Sequence, residues 1–334
     1  MKDEKYTLIE VSQSELSQWD ELVESSGEGT LFSKSNYLLS VGAPFKIFFV
    51  MKGDVVKAGV SLMTPTSDIC ALDDLVIYNG LFFAKDRPSD GVTLQKAYSN
   101  KFQITEFVIA ELAQGYSQIQ LSLAPGFEDL RPFIWHNYGA PNEKQKFKVD
   151  VRYTSFLNIH ELASGDDEAS QLFAQMGSSR RQEIRYARKD QVSVETSTDV
   201  HRFLDLYQMT MQKSSSSQEE ASPQEKLQRM GNLMSDLIEK KQGFLYCVNN
   251  AEGLPVSAAY FGVDSKRAYY LFGANHPELQ SRYSGTIVLW DAFIDLAKKD
   301  ISEVDLEGVN SPRRGWFKLS FGGNLQSYHE VSLG

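Results

Sequence analysis

Leu16, Trp19, Leu22 and Val23 recur at helical spacing after Ser12-Gln13-Ser14-Glu15, and Ser25-Ser26-Gly27 stops the pattern. A serine followed three residues on by a glutamate is a capping box, so the first helix starts there. Lys46 to Met51 and Val55 to Met63 are rich in Val, Ile and Phe, and Lys52-Gly53-Asp54 between them signals a hairpin turn. A helix is expected from about Thr105 to Gln114, closed by Gly115. Gln118 to Leu123 then alternates apolar and polar as a half-buried strand should, and Pro125-Gly126 ends it.

The second half repeats that order. A helical segment carries Phe203, Leu204, Leu206 and Tyr207; a hairpin spans Gly243 to Phe261 and turns at Asn249-Asn250-Ala251-Glu252-Gly253; a helix runs from about Gly285 to Lys298; a strand covers Ile301 to Leu306. Even the tails correspond, with Ile134 to Gly139 standing where Phe317 to Gly322 stands in the second copy. The pattern implies a diverged internal duplication of an α/β unit with mixed sheets. Between the copies lie the charged stretch Asn142 to Arg152, a strand from Tyr153 to Ile159 and a helix from about Asp167 to Lys189. We therefore expect a first domain over residues 1–150 and a second over 151–334. The serine run Ser214 to Glu220 is expected as a surface loop, placed to act as a lid.

The chain has 334 residues, 42% of them hydrophobic, which is enough for two separate cores. No apolar run is long enough to cross a bilayer, and Met1 to Lys5 leads into amphipathic sequence instead of a signal peptide, so a cytoplasmic location is expected. Cys70 and Cys247 are the two cysteines, each in an apolar, strand-like context that suits a buried thiol. A net charge of −10 opposes non-specific binding to DNA or any other polyanion, so an anionic ligand has to be met by a local basic patch.

Three segments could supply one. Arg180, Arg181, Arg185, Arg188 and Lys189 fall within one half of a helix surface at about 100° per residue, a face that could dock a phosphate or serve only as a solvated helix end. Arg313 and Arg314 follow a buried strand and are flanked by Pro312 and Gly315, a fork suited to phosphate beyond the carboxyl end of a strand. Gln280-Ser281-Arg282-Tyr283-Ser284-Gly285-Thr286 precedes a helix whose first amides could cradle a phosphate; ordinary capping by Ser284 or Thr286 explains the same residues. The five histidines are isolated from any paired ligand spacing, so no metal is expected. A Gly-x-Ser-x-Gly elbow is absent, which counts against a serine hydrolase.

Taken as a set, several segments resemble the FemAB-type transferases of the GNAT superfamily. These are the arginine string with Ile184 and Ala187 running into Val192-Ser193-Val194, Tyr269 to Ala274, Leu289-Trp290-Asp291-Ala292, and Asp305-Leu306-Glu307-Gly308 to Phe317-Lys318 with Phe321-Gly322-Gly323. The first half matches more loosely, through Gly29 to Ser33 and Val76 to Gly80. The resemblance implies two tandem GNAT-like domains of the acyl-CoA N-acyltransferase fold. It implies transfer of an acyl or aminoacyl group, from acyl-CoA or aminoacyl-tRNA, to an amine of a cell-envelope precursor or nucleotide-linked sugar. Charged tRNA is then a partner, and a lipid-linked substrate would bring peripheral membrane contact. No heptad run is present for the coiled-coil arm that some members carry.

The lysine matching Lys318 lies at the active centre of the family, where an ammonium can stabilise a developing oxyanion. The first copy has Trp135 at that place, which implies one centre per chain. Asp305 and Glu307 are the candidate proton acceptors and Tyr270 a candidate substrate contact. Arg181, Arg185, Gln280, Ser284, Gly285, Thr286, Arg313, Arg314 and Phe317 are candidates for binding donor or acceptor. The competing expectation is a catalytically inactive GNAT-like scaffold in envelope polysaccharide biosynthesis.

Overall fold

The computed structural model describes residues 5–85, 93–214, 223–250 and 252–334. Residues 215–220 of the serine run, residues 1–4 and Ala251 in the second hairpin turn lie outside them. The chain divides into two compact units, Met1–Arg152 with Ser327–Gly334, and Tyr153–Gln326.

The first unit contains β1 (Tyr6–Glu10), α1 (Leu16–Ser25), α2 (Ser35–Val41), β2 (Phe45–Lys52), β3 (Val55–Thr66), β4 (Ile69–Ala71), β5 (Gly80–Phe83), α3 (Leu94–Gly115), β6 (Gln118–Leu123) and α4 (Arg131–Trp135). Its strands run β1-β2-β3-β4-β6, with β5 also on β3. The expected capping box at Ser12 is present, with the Ser12 amide donating to Glu15 at 2.9 Å. The hairpin pairs from Phe45 opposite Met63 to Lys52 opposite Val55, with a bulge between Val50 and Met51 that leaves Lys57 as an extra residue.

The helix expected from Thr105 begins at Leu94, because the Thr93 hydroxyl accepts from the Lys96 amide and caps a more polar turn ahead of the apolar stripe of Ile104, Val108, Ile109 and Leu112. The sheet of this unit is completed by the far end of the chain. Within β13 (Asn324–Leu333), His329 to Leu333 pairs antiparallel with β6. The eight C-terminal residues, expected with the second domain, are thus counted with the first unit. Their Val331 enters its core beside Leu121 and Phe133.

The second unit takes up the later part of β7 (Lys148–Asn158), then α5 (Gln171–Gln175), α6 (Ser178–Lys189), β8 (Val194–Ser197), α7 (Val200–Ser214), α8 (Pro223–Glu239), β9 (Gly243–Asn249), β10 (Pro255–Val263), β11 (Ala268–Asn275), α9 (Ser284–Ala297), β12 (Glu303–Asp305) and α10 (Pro312–Leu319). Its strand order is β7-β12-β11-β10-β9-β8.

A single helix over 167–189 was expected, and the chain breaks it. Ser170 caps the one-turn α5 through the Phe173 amide at 3.1 Å, and Gly177 then leaves helical geometry and donates its amide to the Ser320 carbonyl at 2.9 Å. The break starts α6 beside the end of α10. Helix α9 is buried on most sides: Trp290 and Phe293 are fully enclosed and pack with Phe173, Phe261 and Phe321.

Both cysteines are free and buried, and loss of water around them pushes the Cys70 thiol up to about 12 and the Cys247 thiol up to about 11. Among the described residues, no helix is long and apolar enough to cross a membrane.

Candidate active site

Strands β11 and β12 are parallel and meet at only two register pairs, Ala268 with Val304 and Tyr269 with Asp305. There β12 ends, while β11 continues to Asn275. The two strands part company beyond Asp305, and the carboxyl end of a parallel strand is where α/β proteins place their chemistry. On the other side of β11 a bulge sets Phe261 opposite Tyr270 but Tyr260 opposite Phe272, so Leu271 is an extra residue and the strand's side chains are re-aimed.

Tyr270 folds back along its own strand. A Cβ at Gly273 would stand 1.9 Å from the Tyr270 hydroxyl oxygen, so glycine is what leaves room for the ring. Burial pushes the Tyr270 phenol up to about 12, partly offset by the Arg314 charge. Over the ring, 5.3 Å from its centre, sits the ammonium of Lys318. That ammonium donates to the main-chain carbonyls of Glu307 and Gly308 at 3.5 and 3.4 Å. Loss of water lowers the Lys318 pKa, against the charges of Glu307 and Asp305, which raise it.

Glu307 is the unusual member of the group. It is buried, its backbone has φ 53°, and its Oε1 has no hydrogen-bond partner. A non-glycine residue in the left-handed region beside an unsatisfied carboxyl oxygen is a costly arrangement that its surroundings have to hold in place. Burial pushes its carboxyl well above the usual range, the Asp305 charge adds to that, and Lys318 opposes it. Asp305 is fully buried and accepts from the Thr154 hydroxyl and, at 2.7 Å, from the Glu307 amide.

Helix α10 carries more than Lys318. Arg313 and Arg314, expected in a loop, occupy its first turn behind Pro312, with Gly315 packed so closely that a Cβ would stand 2.2 Å from the Val309 carbonyl oxygen. Both arginines are exposed, and two cations at a helix N-terminus oppose its dipole. Phe317 lies under the guanidinium of Arg180, 5.0 Å from its ring centre. Arg180 also donates to the Thr286 hydroxyl and pairs with Glu183 at 2.6 Å, and Thr286 donates to Glu183, so α6, α9 and α10 meet at one side chain.

The remaining candidates are spread more widely. Gly285 stands at the start of α9, where a Cβ would be 3.2 Å from Asn275 Oδ1 at the end of β11. The amides there are mostly satisfied internally: Ser284 donates to Ser281, and Thr286 and Ile287 both donate to the Tyr283 carbonyl. Gln280 is exposed in the preceding segment. Arg181 is half-buried, and among the described residues no carboxylate lies within ion-pair distance of it. Arg185 pairs with Glu168 at 2.9 Å and lies over Phe173; Arg188 pairs with Asp291 at 2.6 Å. The expected cationic face therefore has much of its charge met by carboxylates.

Thr154 and Gly273 contribute without any local mark in the sequence, and Arg180, expected only as part of a cationic face, joins three helices. Among the described residues, no group of three or more His, Cys, Asp or Glu side chains is placed to hold a metal ion.

The first unit repeats the frame without the charges. Its parallel pair β4–β6 is also two residues long, Ile69 with Gln118 and Cys70 with Ile119. Aligning the two pairs puts Ile119 where Asp305 stands and Leu121 where Glu307 stands, and both are buried apolar residues.

Residues 161–313 match the family model described as Acetyltransferase (GNAT) domain. No curated protein matches the sequence. Among solved structures the fold is similar to FemX, at 13% identity over 97% of this chain and 96% of that one, with a TM-score of 0.64. It is also similar to L-PGS from Bacillus licheniformis, at 9% identity, 97% and 93% coverage and a TM-score of 0.55. A tandem GNAT protein from the clavulanic acid biosynthesis pathway matches at 9% identity, 98% coverage of both chains and a TM-score of 0.52. The matched stretch is thus similar to a GNAT acetyltransferase domain, and the chain as a whole shares its fold with FemX and with the tandem GNAT protein.

Proposed function

We propose that this chain moves an acyl or aminoacyl group from a thioester or a tRNA ester to an amino group of a cell-envelope precursor or nucleotide-linked sugar, at one centre in the second unit. The observation that carries the reading is a desolvated ammonium, Lys318, held on the main-chain carbonyl of Glu307, a residue whose own buried carboxyl leaves Oε1 unpartnered. In the reaction, the amine nitrogen attacks the donor carbonyl, a C–N bond forms and the carbonyl oxygen turns negative. Lys318 is the group that meets this charge. The carboxylate pair takes the proton from nitrogen, the C–S or C–O bond to the donor breaks, and the proton leaves on the thiol or hydroxyl.

Arg313 and Arg314 fit the phosphates of either donor, since they are exposed, point from the same helix as Lys318 and sit there against the helix dipole. The start of α9 offers less, because its amides are mostly taken. Apolar residues at the places of Asp305 and Glu307 in the first unit support a single centre. We place the reaction in the cytoplasm, with membrane contact only through a lipid-linked acceptor.

The test is intact-mass analysis of candidate amines mixed with protein and acetyl-CoA, longer acyl-CoAs or charged tRNA. A donor-dependent mass gain that disappears in folded Lys318→Ala supports the reading. No gain with any donor leaves a binding protein, and full transfer by Lys318→Ala removes Lys318 from the centre.

A further inference from the structure

Two carboxylates stand at the end of β12, and their surroundings differ in kind. Asp305 is fully buried, and its Oδ1 accepts two hydrogen bonds, one from the Thr154 hydroxyl and one from the Glu307 amide. Thr154 is itself fully buried, on the strand that pairs with β12 through Asp305 opposite Phe156. Glu307 has the opposite character: its backbone is held in the left-handed region and its Oε1 has no partner.

A glutamate does not keep φ 53° without something to hold it there. The bond from its own amide to Asp305 is one restraint; the Leu306 amide on the Ser155 carbonyl at 2.9 Å and the Val309 amide on the Tyr153 carbonyl at 3.0 Å are others. Between them these bonds turn the chain just after the strand, so that the Glu307 carbonyl faces the Lys318 ammonium.

We propose that Thr154 and Asp305 are positioning residues that fix the Glu307 turn, and that Glu307 alone of the carboxylate pair meets the acceptor amine. The assignment of Glu307 to the amine rests on the transferase reading; the link from Thr154 to the Glu307–Lys318 contact does not. The Thr154 hydroxyl holds Asp305 Oδ1 in place for the Glu307 amide. Removing that hydroxyl frees the turn, and Glu307 withdraws from Lys318.

The link is read without substrate, by labelling Lys318 with acetic anhydride across a pH series and quantifying the modified peptide by mass spectrometry. Four groups set its reactivity: the anions of Glu307 and Asp305, the Arg314 cation and the Tyr270 ring. When Glu307 withdraws, the ammonium loses an anionic neighbour and gives up its proton more readily. Thr154→Val is therefore expected to move the labelling midpoint to lower pH, and Thr154→Ser, which restores the hydroxyl, to return it to the parent value. A Thr154→Val profile that superimposes on the parent overturns the link.

Where Thr154→Val fails to fold, Asp305→Asn decides the point. Its side-chain oxygen can still accept both hydrogen bonds, so with a working donor it loses less transfer than Glu307→Gln. Asp305→Asn falling as far as Glu307→Gln overturns the division of roles. Absence of transfer with every donor sinks the transferase reading and leaves the labelling result standing.

Discussion

The Lys318 ammonium lies 5.3 Å from the centre of the Tyr270 ring, and among the described residues its hydrogen bonds go to main-chain carbonyls, those of Glu307 and Gly308, and not to a carboxylate. A lysine paired at close range to an acid is neutralised by it. This one is held by a quadrupole and two long carbonyl contacts, so its charge stays available to a third party.

Lys318→Met keeps the length of the side chain and removes the charge. Transfer is expected to fall by roughly a hundredfold or more, the usual cost of losing one oxyanion donor. Stability should not fall with it, because a desolvated ammonium costs free energy to bury. Thermal unfolding of the variant beside the parent checks the second half. A lower midpoint for the methionine variant would show Lys318 to be a structural cation.

The pH dependence of stability follows from Glu307. Its folded pKa lies well above the ordinary carboxylate value of 4.5, chiefly through burial and then through the Asp305 charge. Between those two values the folded state binds more protons than the unfolded chain, so stability drops as pH rises through that window. Lys318 works the other way: its folded pKa lies below 10.5, so between its folded value and 10.5 stability grows with pH. Glu307→Gln carries no titrating proton and is expected to flatten the fall on the acid side; it also removes an anion that raises the Lys318 pKa, so the lysine limb should begin at lower pH. Urea unfolding at a series of pH values separates the two limbs.

Gly273→Ala tests the seat of the tyrosine. Its Cβ would stand 1.9 Å from the Tyr270 oxygen and 2.9 Å from Cζ, so the ring has to leave and the ammonium loses its support. Overpacking of this kind costs about 1–3 kcal/mol. Tyr270→Phe is expected to be far milder, since it removes only the hydroxyl and keeps the ring under Lys318. Equal losses of transfer in the two variants would show that the hydroxyl, and not the ring, is what matters.

The elements around this centre were legible because amphipathic spacing and turn chemistry announce them: the Phe45–Lys52 and Val55–Thr66 hairpin and the Ser284–Ala297 helix both fall close to where the pattern puts them. What the pattern misses is set at long range. Nothing in Gln171 to Lys189 warns that Gly177 bonds Ser320, and nothing in His329 to Leu333 says that its partner is β6. The same holds for the site. A resemblance to known enzymes drew attention to Lys318, but the hydroxyl that restrains Asp305 comes from Thr154, far away in sequence and with no local mark. The arginine string shows both cases side by side, because helical spacing puts five cations on one face but is silent on which carboxylates reach them.

That string supplies a final comparison. The Arg180 side chain is 16% exposed, pairs with Glu183 at 15% and donates to Thr286, while its guanidinium covers Phe317. Arg185 is 57% exposed and pairs with Glu168 at 43%. Both arginines stand on α6 and meet a glutamate, but only the first contact is shielded and shared by three helices. Arg185→Ala is expected to change stability by no more than about 0.5 kcal/mol, as exposed pairs do. Arg180→Ala leaves Glu183 and Thr286 short of a donor and uncovers Phe317, so a loss of roughly 2 kcal/mol is expected, together with reduced transfer because Phe317 adjoins Lys318. Arg180→Met tells packing from charge, since its straight chain can still lie on the Phe317 ring. If the methionine variant recovers transfer but not stability, the guanidinium serves the fold and its coverage of the ring serves the site.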